Sequence, residues 1–190
     1  MLNRLRGRLA PYMNRMGGAF AATGLSANFW TAAGLATAFA AAVSYGGATP
    51  YPYVVGGVLL LVSGFFDMVD GQVARITKSA SARGSFLDSV FDKIAEVAIF
   101  VGLAVGGLVS AELALIAVGA SLLVSYTRAK ADALGVEIRG VGIGERAERL
   151  LIISIVGMIP GMMPWAVLAV AVLAGITVAQ RIRFIYWRLD

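Results

Sequence analysis

Four aspartates carry the chemistry open to this sequence: Asp67 and Asp70, three residues apart, then Asp88 and Asp92, four apart. On a helix, steps of three and four return to one face, so each pair can point the same way. Gly71, Ala74 and Arg75 share the face of Asp67 and Asp70, and Gly84 that of Asp88 and Asp92. Residues 76–83 are short and polar enough to reverse the chain between two antiparallel helices, so the carboxylates can converge. Four hard-oxygen ligands suit Mg2+ or Mn2+ and could hold two ions, with phosphate oxygens completing the shells. The chain has no cysteine and no histidine, which excludes thiolate and imidazole metal sites and imidazole bases. A metal must therefore sit on oxygen. The small Gly71, Ala74 and Gly84 leave room between the helices for a flat or bulky group such as a nucleotide, whose phosphate Arg75 can pair.

The elements that must position these residues are membrane helices. At 190 residues, 59% hydrophobic and 14% charged, the chain has too few charged groups to cover a soluble domain. Apolar stretches fall at about 29–48, 51–66, 90–110, 111–127, 150–162 and 164–180. Those at 51–66 and 150–162 are shorter than the ~20 residues that cross a bilayer, so they are expected to continue into charged neighbours on one side. The separators at 46–50, 106–107 and 160–164 hold glycine and proline and no basic residue. All sixteen Lys and Arg lie elsewhere, in 4–15, 75–93, 128–149 and 181–188, alternating with the bare loops. By the positive-inside rule this predicts an all-α integral membrane protein with six transmembrane helices and both termini cytoplasmic. It also reads the basic balance as topology and not as a nucleic-acid surface. Residues 1–20 read as an N-terminal interfacial amphipathic helix, with Leu2, Leu5 and Leu9 toward acyl chains and the arginines at headgroups. No repeat or second domain interrupts residues 1–190. An aspartate at mid-membrane costs roughly 3 kcal/mol, so four near membrane ends call for a compensating cation.

The pattern Asp67-x-x-Asp70-Gly71-x-x-Ala74-Arg75, then Gly84-x-x-x-Asp88-x-x-x-Asp92, resembles the motif of the CDP-alcohol phosphotransferases, with every specified position filled. The resemblance implies a multi-pass enzyme of the cell membrane, its active site facing the cytoplasm. Such an enzyme transfers the substituted phosphate of a CDP-linked lipid to an alcohol and releases CMP. The resemblance assigns the metal to Asp67, Asp70, Asp88 and Asp92, with Asp92, last in the series, also the general base. It lines the cytidine pocket with Gly71, Ala74 and Gly84. Upstream, Ser26 to Thr31 is similar to the Pro-Asn-x-x-Thr stretch that opens the first span in many members, with Ala27 in place of the proline. Asn28 and Thr31 are expected either to cap that helix or to touch the nucleotide phosphates. Members are commonly homodimers.

A second basic cluster bears on the acceptor. Arg128-Ala129-Lys130-Ala131 and Glu145-Arg146-Ala147-Glu148-Arg149, with Arg181 near the last helix, resemble the branch that uses inositol phosphate, the phosphatidylinositol-phosphate and archaetidylinositol-phosphate synthases. A phosphorylated polyol needs a clamp of cations drawn from several helices, and Arg128, Lys130, Arg146, Arg149 and Arg181 are the candidates. Arg146 and Arg149, close to Glu145 and Glu148, can also pair with these neighbours. A glycerol-3-phosphate acceptor would share every aspartate. Outside enzymology the rival is a divalent-cation transporter, since intramembrane aspartates also mark ion pathways; it requires access from both faces.

Overall fold

The structure, a computed structural model, describes residues 15–138 and 140–189; most of the expected interfacial helix, residues 1–14, lies outside the described residues. Residues 15–21 are helical. Six further helices follow, and no strand occurs among the described residues. Helix α1 is Ala27–Val43, prolonged by a π-helical turn at Ser44–Ala48; α2 is Pro52–Ile76; α3 is Ala82–Val105. Helix α4 is Ala111–Ala133; α5 is Arg146–Leu151, prolonged by a π-helical turn at Ile152–Val156; α6 is Met163–Tyr186. The starts are written locally. Ser26, Ser81 and Ser110 each accept the backbone N–H three residues on, which satisfies an amide that the helix leaves unpaired. Proline stands in the first turn of α2 and of α6, where its missing N–H costs nothing.

Three of the six are long and apolar enough to cross a membrane: α2, α4 and α6. The others fall short for separate reasons. Helix α1 has 17 residues before its π turn. Helix α3 carries Arg83, Asp88, Asp92, Lys93 and Glu96 in its first fifteen residues. Helix α5 has only 6 regular residues, so the expected span at 150–162 is a short helix that ends before Gly157. Helix α2 does continue past the apolar stretch at 51–66, through both aspartates to Ile76.

Helix α3 shows how the faces divide. Asp88, Asp92, Ala95, Glu96, Ile99 and Leu103 run down one side, into the protein, whereas Val90, Ile94, Val97, Val101 and Val105 run down the opposite side and are exposed. An exposed valine stripe is unfavourable in water and suits acyl chains. Inside, small residues let the helices approach. A methyl group added at Gly102 would collide with the carbonyl of Ala42, and one at Gly106 with that of Tyr45, so α3 packs directly on the backbone of α1. Helix α1 is fastened to α2 as well: Ser63 donates to the Gly34 carbonyl at 2.8 Å, in a buried position one turn before Asp67. Phe20, Trp30, Phe65 and Phe66 stack at the same end, Phe20 meeting Trp30 edge-on at 4.9 Å. The helical residues 15–21 are thereby packed on α1 and α2.

Candidate active site

The last three turns of α2 carry Asp67, Asp70, Gly71, Ala74 and Arg75, and the first three turns of α3 carry Gly84, Asp88 and Asp92. Between them the chain reverses within residues 77–81. The turn is held by the Thr77 hydroxyl on the Val73 carbonyl at 2.8 Å and its contact with the Ser79 hydroxyl at 2.7 Å. The Ser81 cap on Gly84 then starts α3 beside the end of α2. As a result, carboxylate oxygens of Asp67, Asp70 and Asp88 all lie within 4.8 Å of one another. Asp70 is buried, at 7% exposed, and the other two are half-buried. At that separation, with an effective dielectric of about 20, each pair of like charges repels by about 3 kcal/mol. Clustered acids of this kind persist where a cation sits among them, and an all-carboxylate donor set is the chemistry of Mg2+ and Mn2+.

Asp92 lines the same recess but belongs to a different contact. One guanidinium nitrogen of Arg146, Nη1, lies 2.8 Å from Asp92 Oδ1 and 3.2 Å from Asp67 Oδ1. Arg146 opens α5, where Glu145 and Glu148 form a reciprocal capping box; the Glu145 N–H reaches Glu148 Oε2 at 2.8 Å. This cap stiffens the turn that aims Arg146 at the acids. The Nε of Arg146 is buried and has no partner among the described residues.

The residues expected around a nucleotide frame the mouth of the recess. Asn28 Oδ1 is 3.5 Å from where a Cβ on Gly84 would stand, so α1 and α3 meet there with no side chain between them. The guanidinium of Arg75 folds back over Gly71, with Nη2 3.6 Å from the position of an added Cβ. Ala74 lies on the same face, half-buried. The cap of α1 is Ser26, not Asn28: the helix starts two residues earlier than the capping reading of Asn28 requires, and the exposed Asn28 side chain makes no hydrogen bond among the described residues. Thr31 donates to the Ala27 carbonyl at 3.1 Å and borders the recess next to Asp70.

The five basic residues expected on an acceptor phosphate separate into three groups. Arg128 and Lys130, on the last turns of α4, are exposed. Arg146 is in the recess. Arg149 and Arg181 are instead occupied within the protein. Arg149, 1% exposed, donates to Glu96 Oε1 through Nε at 3.2 Å and Nη2 at 2.7 Å, and to the Gly144 carbonyl through Nη1 at 2.8 Å. Arg181, 3% exposed, donates to the Val124 carbonyl at 2.6 Å and the Val141 carbonyl at 3.0 Å. Both fasten the loop between α4 and α5. Glu96 was not among the sequence candidates, although it extends the four-residue step of Asp88 and Asp92 by one more turn.

The sequence model of the CDP-alcohol phosphatidyltransferase family matches residues 25–180. The archaetidylinositol phosphate synthase of Methanothermobacter thermautotrophicus is 36% identical over 195 aligned residues, covering 100% of this chain and 96% of the relative. That of Pyrococcus horikoshii is 32% identical, covering 96% and 95%. Among solved structures, Mycobacterium tuberculosis phosphatidylinositol phosphate synthase in complex with manganese and citrate superposes with a TM-score of 0.78 at 25% identity, covering 92% of this chain and 88% of that one. The same synthase with CDP-DAG bound gives a TM-score of 0.77.

Proposed function

The chain belongs to the CDP-alcohol phosphatidyltransferase family, a metal-dependent family of membrane enzymes, and on that premise we propose that it transfers the phosphatidyl-type group of a CDP-linked lipid to inositol phosphate. Membership makes it an enzyme and not a cation transporter. The reading of a phosphorylated acceptor is carried by one observation: a guanidinium, that of Arg146, stands 2.8 Å from Asp92 inside an otherwise acidic recess. A cation beside the base is what an incoming phosphate monoester needs if its own hydroxyl is to reach that base. The names of the relatives point to the same acceptor.

In this reading the acceptor hydroxyl attacks the lipid-side phosphorus, a new P–O bond forms, and the P–O bond to CMP breaks. Asp92 takes the hydroxyl proton. A divalent cation, Mg2+ or Mn2+, held by Asp67, Asp70 and Asp88 would neutralise the diphosphate and stabilise the departing oxygen of CMP. Gly71, Ala74 and Gly84 admit the cytidine, while Asn28, Thr31 and Arg75 border it. Arg146 receives the acceptor phosphate, with the exposed Arg128 and Lys130 drawing it in. The six-span arrangement, with the recess toward the cytoplasm of the cell membrane, belongs to the same proposal; the crowding of Arg75, Arg128, Lys130, Arg146 and Arg183 at the acid end of the helices supports it. A homodimer belongs to the same proposal.

The test is purified protein given a CDP-linked lipid and, separately, inositol phosphate, free inositol, glycerol phosphate and serine. CMP release with inositol phosphate well above the others supports the proposal. Release with glycerol phosphate while inositol phosphate is inert overturns the acceptor.

A further inference from the structure

Helices α3 and α5 face each other through two ion pairs one turn apart. The outer pair is Asp92 with Arg146, at 2.8 Å, with side chains 22% and 19% exposed. The inner pair is Glu96 with Arg149, at 2.7 Å, both 1% exposed. Four residues separate the two acids and three the two arginines, so the rungs stack along neighbouring faces in the same direction. Lys93 adds a third charge, its Nζ 3.4 Å from Glu96 Oε2. Arg149 also holds the Gly144 carbonyl, the residue just before the capping box that starts α5.

The two rungs differ in what they can do. The outer one opens into the recess and can exchange partners with a substrate. The inner one is sealed, and its carboxylate oxygen Oε1 receives two nitrogens of a single planar guanidinium, so sliding or turning α5 would break both bonds together. Helix α5 needs such an anchor. Its regular part is 6 residues long and ends in a π turn; Leu150 and Ile153 are buried further along, but in the first turn, which carries Arg146, the first buried side chain is that of Arg149.

We propose that Glu96 is a positioning residue for the transfer reaction: through Arg149 it fixes the register of α5 on α3 and thereby the reach of Arg146 to Asp92 and to the acceptor phosphate. The inference rests on the phosphorylated-acceptor reading above. It predicts a selective defect. The CDP-linked lipid is held by α1, α2 and the first turns of α3, whereas the inner pair ties α5, and with it the Arg146 on which the acceptor phosphate depends, to α3 one turn beyond Asp92.

The experiment compares wild-type protein with Glu96→Gln, with Arg149→Lys and with the apolar pair Glu96→Leu/Arg149→Met, each reconstituted in lipid. It reads KM for acceptor and for CDP-lipid separately, together with thermal unfolding. The apolar pair is included because a well-packed replacement of a buried ion pair can keep stability while losing the directional bond. The expected result is an acceptor KM raised about tenfold or more in Glu96→Gln and in the apolar pair, with CDP-lipid KM within about twofold of wild type. Arg149→Lys, which keeps the charge but not the fork, should fall between. An apolar pair that is stable and has an unchanged acceptor KM overturns the proposal, as do two KM values that rise together. Wild-type protein that turns over no phosphorylated acceptor overturns both this proposal and the reading beneath it; wild-type turnover with normal variants overturns the positioning role alone.

Discussion

Arg146 reaches from the first turn of α5 to Asp92 in the third turn of α3, and the same nitrogen touches Asp67 at the end of α2. One side chain therefore joins three of the elements that line the acid recess, α2, α3 and its own α5, while α1 borders it with Thr31. Three of the four aspartates converge, Asp67, Asp70 and Asp88, while the fourth, Asp92, faces Arg146, whose nitrogen it shares with Asp67.

Asp92→Asn removes the proton acceptor and leaves the three-carboxylate group in place. Turnover is expected to fall by about 10^2 to 10^4, the usual contribution of a positioned general base. Mn2+ affinity and CDP-lipid binding should stay near wild type. A rapid-quench assay of CMP release, alongside equilibrium binding, checks both; a turnover loss below tenfold would remove Asp92 from the role.

Gly84→Val tests the nucleotide mouth. Its Cβ would stand 3.5 Å from Asn28 Oδ1 and 3.2 Å from Ser81 Oγ, and the two further methyl groups would fill the space where α1 and α3 meet. KM for the CDP-linked lipid should rise about tenfold or more while KM for the acceptor changes little. Steady-state kinetics with each substrate varied in turn distinguish this from a general loss of structure.

Gly102→Ala tests the packing that supports the site from below. A single methyl meets the Ala42 backbone, which cannot rotate away, so α1 and α3 must separate. Such overpacking costs about 1–3 kcal/mol. The melting temperature of the purified protein should fall, with Mn2+ affinity retained by whatever fraction remains folded. An unchanged melting temperature would mean that the two helices have slack at Gly102.

Much of this site was legible because its signals are local. The steps of three and four that carry Asp67, Asp70, Asp88 and Asp92 place them on faces, and Thr77 to Ser81 is too short to do anything but turn the chain. Contacts across helices were less legible. Arg149 and Arg181 look like Arg146 in sequence, and only packing shows that two of the three are buried on Glu96 and on backbone carbonyls. Glu96 carried a signal, the continued spacing from Asp88 and Asp92, but spacing gives a face and not the partner opposite it. The shortness of α5 was hidden for a related reason: Ile152 to Val156 is apolar whether or not the helix stays regular, so hydropathy alone extends the span. At the start of α1, Ser26 and Asn28 are both good caps, and the choice fell to the one whose oxygen reaches the N–H of Phe29.

The central claim is that α2 and α3 bring three carboxylates together to hold a divalent cation for this reaction. Its most direct test is a Mn2+ titration of the purified protein followed by electron paramagnetic resonance, for wild type and for Asp67→Asn, Asp70→Asn and Asp88→Asn. The account predicts saturable binding by wild type, weakened about tenfold or more by each substitution, with CMP release lost on chelation and restored by Mn2+ or Mg2+. Equal Mn2+ binding by wild type and all three variants, or CMP release that persists after chelation, would contradict it.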